Sequence, residues 1–362
     1  MLISHLELFA GIGGFRQAAE LLSQDFDVSV ENIGFSEIDT FATKTYKANF
    51  DTTNEIELGD IVSFTANKEN IENLPNFNLL TGGFPCQSFS MMGKQRGFND
   101  LRGNVFFQIL EIAKIKKPAF ILLENVKNII THNKGETLEI VLNSLKESGY
   151  PYIYYDVFDT KNFSLAQTRN RVYIFASRVR LSKDFQFNAK LIQKSFENIV
   201  DKSSLVRHSK TFEILEKEVD NKYYLSDIIK PTILADGTKN YRAKSKIDQL
   251  VARPLTATMA KMHRASQDNY FSDDFLNSTD KEFYSNYEFT KSELLAKRIR
   301  RLTPTEAFLL QGFSKDFVIN AQNLGISDTQ LYKQAGNAVS VNTVYAILNY
   351  LICEKDLFKE LW

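Results

Sequence analysis

The chain has 362 residues, of which 43% are hydrophobic and 24% charged, and its formal net charge is zero. These values are typical of a globular protein with two domains, or one large domain with an insertion. There is no apolar run of membrane-spanning length and no basic-then-apolar leader, so we expect a cytoplasmic protein without membrane contact. Two cysteines and four histidines without ligand spacing argue against a disulfide framework and a metal site, and zero net charge argues against non-specific coating of nucleic acid.

Strand and helix patterns alternate through the first half of the chain. Short apolar runs predict strands, and apolar residues at helical spacing predict helices between them. The strands are predicted at 6–9, 30–38, 79–80, 119–123, 152–158 and 171–176; the helical faces are predicted around 15–22, 105–113 and 138–145. This alternation favours an α/β fold with a doubly wound, mostly parallel sheet.

The pattern changes near residue 180. From there to about residue 300 the chain is polar and shows no sustained alternation, which indicates a second, smaller and irregular domain. Val341, Val344, Tyr345 and Leu348 then form one face of a last amphipathic helix.

Three features after the first strands suit a nucleotide-like ligand, and each has a plainer explanation. Gly11, Gly13 and Gly14 join the first strand to the first helix, where a ligand can approach the backbone, although a tight turn needs glycine anyway. Glu37 follows the second strand and can accept hydrogen bonds from ribose hydroxyls, or it is a surface carboxylate. Asp60 is either a ligand contact or a helix cap.

Cys86 follows a strand that ends in Gly-Gly-Phe-Pro, a stiff turn that projects the next side chain outward. A thiol there suits a nucleophile, whereas most free cysteines are small buried hydrophobes. Glu124 ends the apolar strand 119–123, where partial desolvation favours a protonated carboxyl near neutral pH. Strand ends of an open α/β sheet share one crevice, so Cys86, Glu124 and the glycine-rich turn are expected to face one pocket.

Arg169 and Arg171 lie just before the strand at 172–175. If that strand were parallel to the others, its start would lie at the wrong edge of the sheet. We therefore predict that it runs antiparallel, which brings both arginines to the crevice.

Positive charge is concentrated in short segments, although the net charge is zero. Each segment taken alone is more typical of a solvated face than of a binding patch. The segments are 94–102 (Lys94, Arg96, Arg102), 169–171, 261–264 (Lys261, His263, Arg264) and 297–301 (Lys297, Arg298, Arg300, Arg301).

Six motifs occur in a fixed order: FAGIGG at 9–14, GFPCQ at 83–87, ENV at 124–126, QTRNR at 167–171, RLTPTEA at 301–307 and QAGNAV at 334–339. In this order the chain resembles the DNA cytosine-5 methyltransferases of bacterial restriction–modification systems, over almost its whole length except about residues 181–295. The resemblance implies an S-adenosylmethionine-dependent methyltransferase fold with one antiparallel strand.

The resemblance also implies a covalent reaction on a flipped cytosine. The Cys86 thiolate would add to C6 of the cytosine, and Glu124 would donate a proton or hydrogen bond at N3. Arg171 would hold O2 of the base, and Arg169 would support the cysteine and phosphate region. Asn125 would orient its neighbours. The product of the methyl donor would be S-adenosyl-L-homocysteine.

The residues that the resemblance assigns to the methyl donor come from both ends of the chain. Ile38 stands where many relatives carry an aromatic residue. The set is Phe9, Gly11, Gly13, Gly14, Glu37, Ile38, Asp60, Ile61, Pro85 and Asn337. Asn337 implies that the C-terminal helix packs back onto the N-terminal domain.

A loop at 88–98 resembles the segment that closes over the flipped base, with an ordinary surface loop as the alternative. Arg253–Thr258 resembles the Thr-containing element of target-recognition domains. The candidate DNA contacts are Gln87, Ser90, Met92, Lys94, Arg96, Lys261 and Arg264.

The resemblance divides the chain into a catalytic and donor-binding domain at 1–180 and 330–362 and a target-recognition domain with hinge at 181–329. It implies a monomer acting on double-stranded DNA, with a cognate restriction endonuclease that shares the site without a stable complex. The alternatives are a tRNA cytosine-5 methyltransferase, a catalytically silent DNA-binding relative and an NAD-dependent oxidoreductase, the last disfavoured by the glycine spacing.

Overall fold

Seven strands form the central sheet, in the order β3-β2-β1-β4-β5-β7-β6. The computed structural model describes residues 1–85, 105–238 and 241–359. The sheet strands are β1 Leu2–Leu8, β2 Ser29–Ser36, β3 Ile56–Glu57, β4 Leu79–Gly83, β5 Phe120–Val126, β6 Tyr152–Asp159 and β7 Asn170–Ser177. All neighbours pair in parallel except β7, which is antiparallel to both β5 and β6. The predicted doubly wound α/β sheet with one antiparallel strand is therefore confirmed.

Helices cover both faces of this sheet. Leu6 and Leu8 of β1 point toward one face and join the core cluster that holds Ile109 and Val141, whereas the alternate residues His5 and Glu7 are buried toward the other. The helices of this part are α1 Gly14–Asp25, α2 Thr40–Asn49, α3 Ile61–Thr65, α4 Lys68–Glu72, α5 Val105–Lys116, α6 Glu136–Glu147, α7 Ala189–Glu197 and, near the end of the chain, α15 Val341–Asn349.

Helix α15 packs against α1, as the sequence predicted. Gly14, at the start of α1, packs directly against Val339, the residue just before Ser340 and α15. A Cβ at Gly14 would overlap the Val339 side chain. Both helices belong to one compact unit, formed by residues Met1–Asp159, Asn170–Leu205 and Val339–Trp362. The last segment of the chain is thus part of the unit that contains the sheet.

A second compact unit contains Thr160–Arg169 and Val206–Ala338. It is built from short elements: α8 Lys230–Ile233, α9 Asp273–Asn277, α10 Lys281–Asn286, α11 Lys291–Ala296, α12 Pro304–Leu309, α13 Lys315–Asn323 and α14 Asp328–Asn337, with strands β8 Gly237–Thr238, β9 Tyr241–Arg242, β10 Tyr270–Ser272 and β11 Ile299–Arg301. The pair β8–β9 and the pair β10–β11 are antiparallel. The functional division at residues 180 and 330 stays a prediction.

Candidate active site

The glycines of the turn after β1 are required for different structural reasons. Gly11 has a φ of 57° and open space where a Cβ would stand, so its backbone is accessible to a ligand. Gly13 also has a positive φ of 85°, and a Cβ there would overlap the rings of Phe50 and Tyr46. Only Gly11 has the open approach that the sequence analysis assigned to the whole turn. Phe9, which precedes the turn, is partly buried with a φ of 54°.

Glu37 fastens this turn to the end of β2. Its Oε2 accepts a hydrogen bond from the backbone N–H of Gly11 at 2.7 Å, and its Oε1 accepts from the N–H groups of Ile38 and Asp39 at 2.9 and 2.7 Å. The carboxylate is partly exposed and has lone pairs left for further donors. A residue predicted to touch a ribose is thus itself held rigidly by three backbone groups.

The remaining predicted donor contacts of this unit differ in exposure. Ile38 is 73% exposed, which leaves its side chain available to a ligand, whereas Ile61 is 2% exposed and belongs to the core cluster. Asp60 caps α3 by accepting from the N–H groups of Val62 and Ser63 at 3.1 and 3.4 Å. The plainer alternative for Asp60, a helix cap, therefore describes what its side chain does here.

Glu124 and Arg171 meet at the carboxyl ends of the parallel strands. Arg171 Nε lies 2.9 Å from Glu124 Oε1, and both side chains are mostly buried. The antiparallel register of β7 pairs Arg171 with Val126 at the end of β5 and so places it at this edge. Gly83, paired with Glu124 from β4, leaves room for the carboxylate: an added Cβ would lie 3.3 Å from Glu124 Oε2.

Asn125 holds the segment that leads to Cys86. Its Nδ2 donates to the carbonyl of Phe84 at 2.8 Å, and its Oδ1 accepts from the N–H of Val126 at 2.8 Å. Asn125 and Phe84 are both 2% exposed, whereas Pro85 is exposed. The amide therefore fixes the backbone two residues before the predicted nucleophile.

Cys86 and the predicted DNA contacts of the following loop lie outside the described residues. These are Gln87, Ser90, Met92, Lys94 and Arg96. Their roles stay predictions.

Arg169 has partners that the sequence did not foresee. Its Nη1 donates to the carbonyl of Leu255 at 2.9 Å, and its Nη2 donates to the carbonyls of Gly336 and Ala338 at 3.1 and 3.0 Å. The residue is 2% exposed. Gly336 lies directly against the Thr-containing segment Arg253–Thr258, since a Cβ at Gly336 would overlap the backbone of Thr256. Arg169 thus joins the Thr-containing segment to the end of α14 within the second unit.

The other predicted contacts of the second unit are accessible. Asn337 ends α14 with an exposed side chain, Lys261 is exposed and Arg264 is partly exposed. The structure places Lys261 in a short helical turn, Met259–Lys261, followed by Met262 with a φ of 52°.

A buried polar cluster under the glycine-rich turn was missed by the sequence analysis. Glu7 is 1% exposed, and its Oε1 accepts from the N–H of Phe15 at 3.2 Å at the start of α1. Burial raises the pKa of Glu7 to about 8, although the nearby Arg16 opposes the shift. Arg16 is itself buried, bonds Glu20 at 2.8 Å and stacks over the Phe50 ring at 4.5 Å. A charged residue within an apolar strand was the available signal.

The described residues contain neither a metal-binding cluster nor a membrane-spanning helix. Among these residues there is no group of three or more His, Cys, Asp or Glu side chains placed to hold a metal ion. Within the same ranges, no helix combines the length and apolar character needed to cross a membrane.

The seven-stranded sheet with its one antiparallel strand is a fold shared with solved methyltransferases. The methyltransferase EhMeth of Entamoeba histolytica superposes with a TM-score of 0.72 at 22% identity, covering 98% of this chain and 99% of that one. S. pombe Dnmt2 methyltransferase also superposes with a TM-score of 0.72, at 18% identity and with the same coverages. At these identities the likeness concerns the fold.

The sequence then gives the family. Residues 3–353 match the C-5 cytosine-specific DNA methylase family, to which the chain therefore belongs. The Type II methyltransferase M.SsoII of Shigella sonnei is 36% identical over 352 residues, which are 97% of this chain and 80% of that protein. The Type II methyltransferase M1.ScrFI of Lactococcus lactis subsp. cremoris is 36% identical over 350 residues, 96% and 77% of the two chains. The chain is a DNA cytosine-5 methyltransferase, and its family and fold imply S-adenosylmethionine as methyl donor.

Proposed function

We propose that this enzyme methylates C5 of one cytosine within a specific duplex DNA sequence, through a covalent bond between Cys86 and C6 of a flipped base. The observation that carries the proposal is the Glu124–Arg171 pair at 2.9 Å, at the same sheet edge as Asn125 and its bond to Phe84. Cys86 follows Phe84 by two residues in the sequence, and the backbone of Phe84 is held by Asn125.

The chemistry assigns each group a task. Cytosine C5 is a weak nucleophile, and addition of the Cys86 thiolate to C6 moves an electron pair onto the ring, which makes C5 reactive. A carboxyl group that donates a proton or hydrogen bond at N3 stabilises that charge, and Glu124 is proposed for this task. Arg171 holds Glu124 in place and would bind O2. After C5 is methylated, loss of the C5 proton and departure of the thiolate restore the double bond.

The first unit has groups that suit the methyl donor. S-adenosylmethionine supplies an electrophilic methyl group when bound. Gly11 leaves open space at a positive-φ backbone, Glu37 offers a rigid carboxylate for hydroxyl groups, and Ile38 exposes an apolar side chain. Phe9, Asp60, Ile61 and Pro85 of this unit are proposed as further contacts, with Asp60 acting while it also caps α3. Asn337, which belongs to the second unit, is proposed as a donor contact from the sequence resemblance alone.

Base flipping is part of the proposal because C6 of a stacked cytosine is out of reach of a side chain. Residues 88–98 would close over the flipped base, with Gln87, Ser90, Met92, Lys94 and Arg96 as DNA contacts. The recognition function is proposed for 181–329 and catalysis for 1–180 and 330–362. Arg169, buried among three carbonyls, is proposed to position the recognition segment rather than to touch the base.

A restriction–modification role is proposed from the relatives, which are named Type II methyltransferases. A cognate endonuclease would act on the same recognition site without forming a stable complex with this chain. The methyltransferase itself would act as a monomer.

Transfer of labelled methyl groups from S-adenosylmethionine to duplex DNA and to tRNA tests the substrate. We expect label in DNA only, and bisulfite sequencing of DNA from a host expressing the chain should show one methylated sequence context. Label in tRNA alone would replace the proposal by the tRNA alternative, and no transfer at all would favour a silent DNA-binding relative.

A further inference from the structure

The basic segment 297–301 consists of four cations whose surroundings differ. Three of them have carboxylate partners: Lys297 with Asp274, Arg298 with Asp273, and Arg300 with Glu306. The last pair is fully buried at 2.7 Å. These three charges are neutralised locally, so the segment as a whole is not a free basic patch.

Arg301 is the exception within the described residues, since no carboxylate oxygen lies within 4 Å of its guanidinium. It is partly exposed and lies over the rings of Tyr332 and Tyr223, with its Cζ 5.0 and 5.8 Å from their centroids. Among the described residues its guanidinium makes one hydrogen bond, a long one of 3.4 Å from Nη1 to the carbonyl of Ala260, and its Nε is buried without a partner. The charge is therefore held by aromatic faces and left uncompensated.

The two rings beneath Arg301 are fixed in turn. The Tyr332 hydroxyl donates to the carbonyl of Leu302 at 2.5 Å, and the Tyr223 hydroxyl donates to Asp328 at 3.0 Å. An arginine stacked on rigid rings loses little side-chain entropy when it binds an anion. Arg301 thus has the properties of a preorganised anion contact.

Arg301 also adjoins the basic turn that the sequence analysis proposed for DNA. Its hydrogen-bond acceptor, Ala260, directly precedes Lys261, and neither Lys261 nor Arg264 has a carboxylate partner among the described residues. Asp268, a buried acid of this region, lines the same small cavity as Arg301. Its Oδ2 accepts from the His263 N–H at 3.0 Å and lies 3.3 Å from the His263 ring, so Asp268 is engaged with His263.

We propose that Arg301 binds a phosphate of the DNA backbone, next to Lys261. The proposal deepens the function proposed above and rests on it. A planar guanidinium that is charged at every accessible pH suits phosphate oxygens, and such contacts position a protein on DNA without reading sequence. Residue 301 therefore contributes to affinity for any duplex.

Salt dependence of binding tests this directly, because each phosphate contact to duplex DNA contributes about 0.9 to the slope of log K against log salt concentration. We would measure fluorescence anisotropy of a mixed-sequence duplex with the wild-type chain, Arg301→Met, Arg301→Gln and Arg301→Lys. The control is Arg298→Met, which removes a cation three residues away that already has an acid partner. Melting temperatures identify variants that fail to fold.

The two neutral variants at residue 301 should bind with a slope shallower by about 0.9, while Arg301→Lys and Arg298→Met keep the wild-type slope. An unchanged slope in both neutral variants would overturn the proposal. Failure of the wild-type chain to bind any duplex would instead overturn the proposed function, and this inference with it.

Discussion

Arg171 Nε lies 2.9 Å from Glu124 Oε1, across the antiparallel pair formed by β7 and β5. One arginine thus orients the carboxyl group that the proposed mechanism uses at cytosine N3. The pair depends on strand direction, because only an antiparallel β7 begins at the edge where β5 ends.

Replacing Glu124 should lower turnover with little effect on DNA binding. Glu124→Gln keeps the size of the side chain but cannot transfer a proton, so we expect kcat to fall by about 10²- to 10⁴-fold. Steady-state kinetics on duplex DNA would measure it. Arg171→Lys keeps the charge and loses the planar fork, and should give a smaller loss in kcat. A Glu124→Gln enzyme with unchanged kcat would exclude the proposed role.

Asn125 should matter for rate because it fixes the approach to Cys86. Asn125→Ala removes the bond to the Phe84 carbonyl, and we expect kcat to fall about 10-fold, the factor for roughly 1.4 kcal/mol of lost positioning. Asn128→Ala is the matched control, since Asn128 is exposed and its side chain bonds only Thr131 among the described residues. Equal activity of the two variants would show that the tether is not used in catalysis.

Arg169 should act on stability more than on chemistry. Arg169→Met leaves the carbonyls of Leu255, Gly336 and Ala338 without this donor. We expect the free energy of unfolding to fall by about 3 kcal/mol, the scale of losing hydrogen bonds from a buried charged group. Urea denaturation would measure the change. Unaltered stability with a large loss of kcat would instead favour a direct role at the cysteine.

Stability should fall as pH rises from about 6.5 to 8 because of Glu7. Burial raises the pKa of Glu7 to about 8, so the folded chain holds a proton that the unfolded chain has released. The expected loss is about 2 kcal/mol over this window. Burial lowers the pKa of His5 from 6.5 to about 4, so the unfolded chain binds more protons between these two pH values and His5 makes stability rise with pH there. That rise ends at about pH 6.5 and therefore does not oppose the loss caused by Glu7.

Glu7→Gln should flatten this pH dependence in thermal melts. The charged and titratable groups that interact with Glu7 include Arg16, Tyr46 and Glu55, and burial also raises the pKa of Glu55 to about 7. Glu55→Gln is therefore the control. It should remove only the contribution of Glu55 to the decline in stability, which lies below about pH 7. A steep decline in Glu7→Gln equal to that of the wild-type chain would contradict the assignment.

The sequence predicted the sheet because strand and helix patterns are local, and it placed Glu124 at the end of the strand that is β5. The antiparallel β7 was foreseen from the requirement that Arg171 reach the crevice. The glycine-rich turn was predicted, but the reason why each position needs a glycine was not. Gly13 packs against Phe50 and Gly14 against Val339, and these neighbours are distant in sequence.

The two arginines of the QTRNR motif illustrate the limit of pattern reasoning. Spacing by two residues places side chains on one face of a strand. However, β7 begins at Asn170, so only Arg171 belongs to the strand, and Arg169 precedes it with partners in the second unit. Likewise, partners contributed by other segments, such as Asp273 and Glu306, decide which cation of residues 297–301 is free.

The central claim is that the Cys86 thiolate attacks C6 of the target cytosine. Duplex DNA carrying 5-fluorocytosine at the methylated position blocks proton loss from C5 and so retains the covalent bond. With S-adenosylmethionine present, the wild-type enzyme should form a denaturation-resistant complex with this DNA, and Cys86→Ser should form none. An equal yield of complex from Cys86→Ser, or methylation by that variant at the normal rate, would contradict the account.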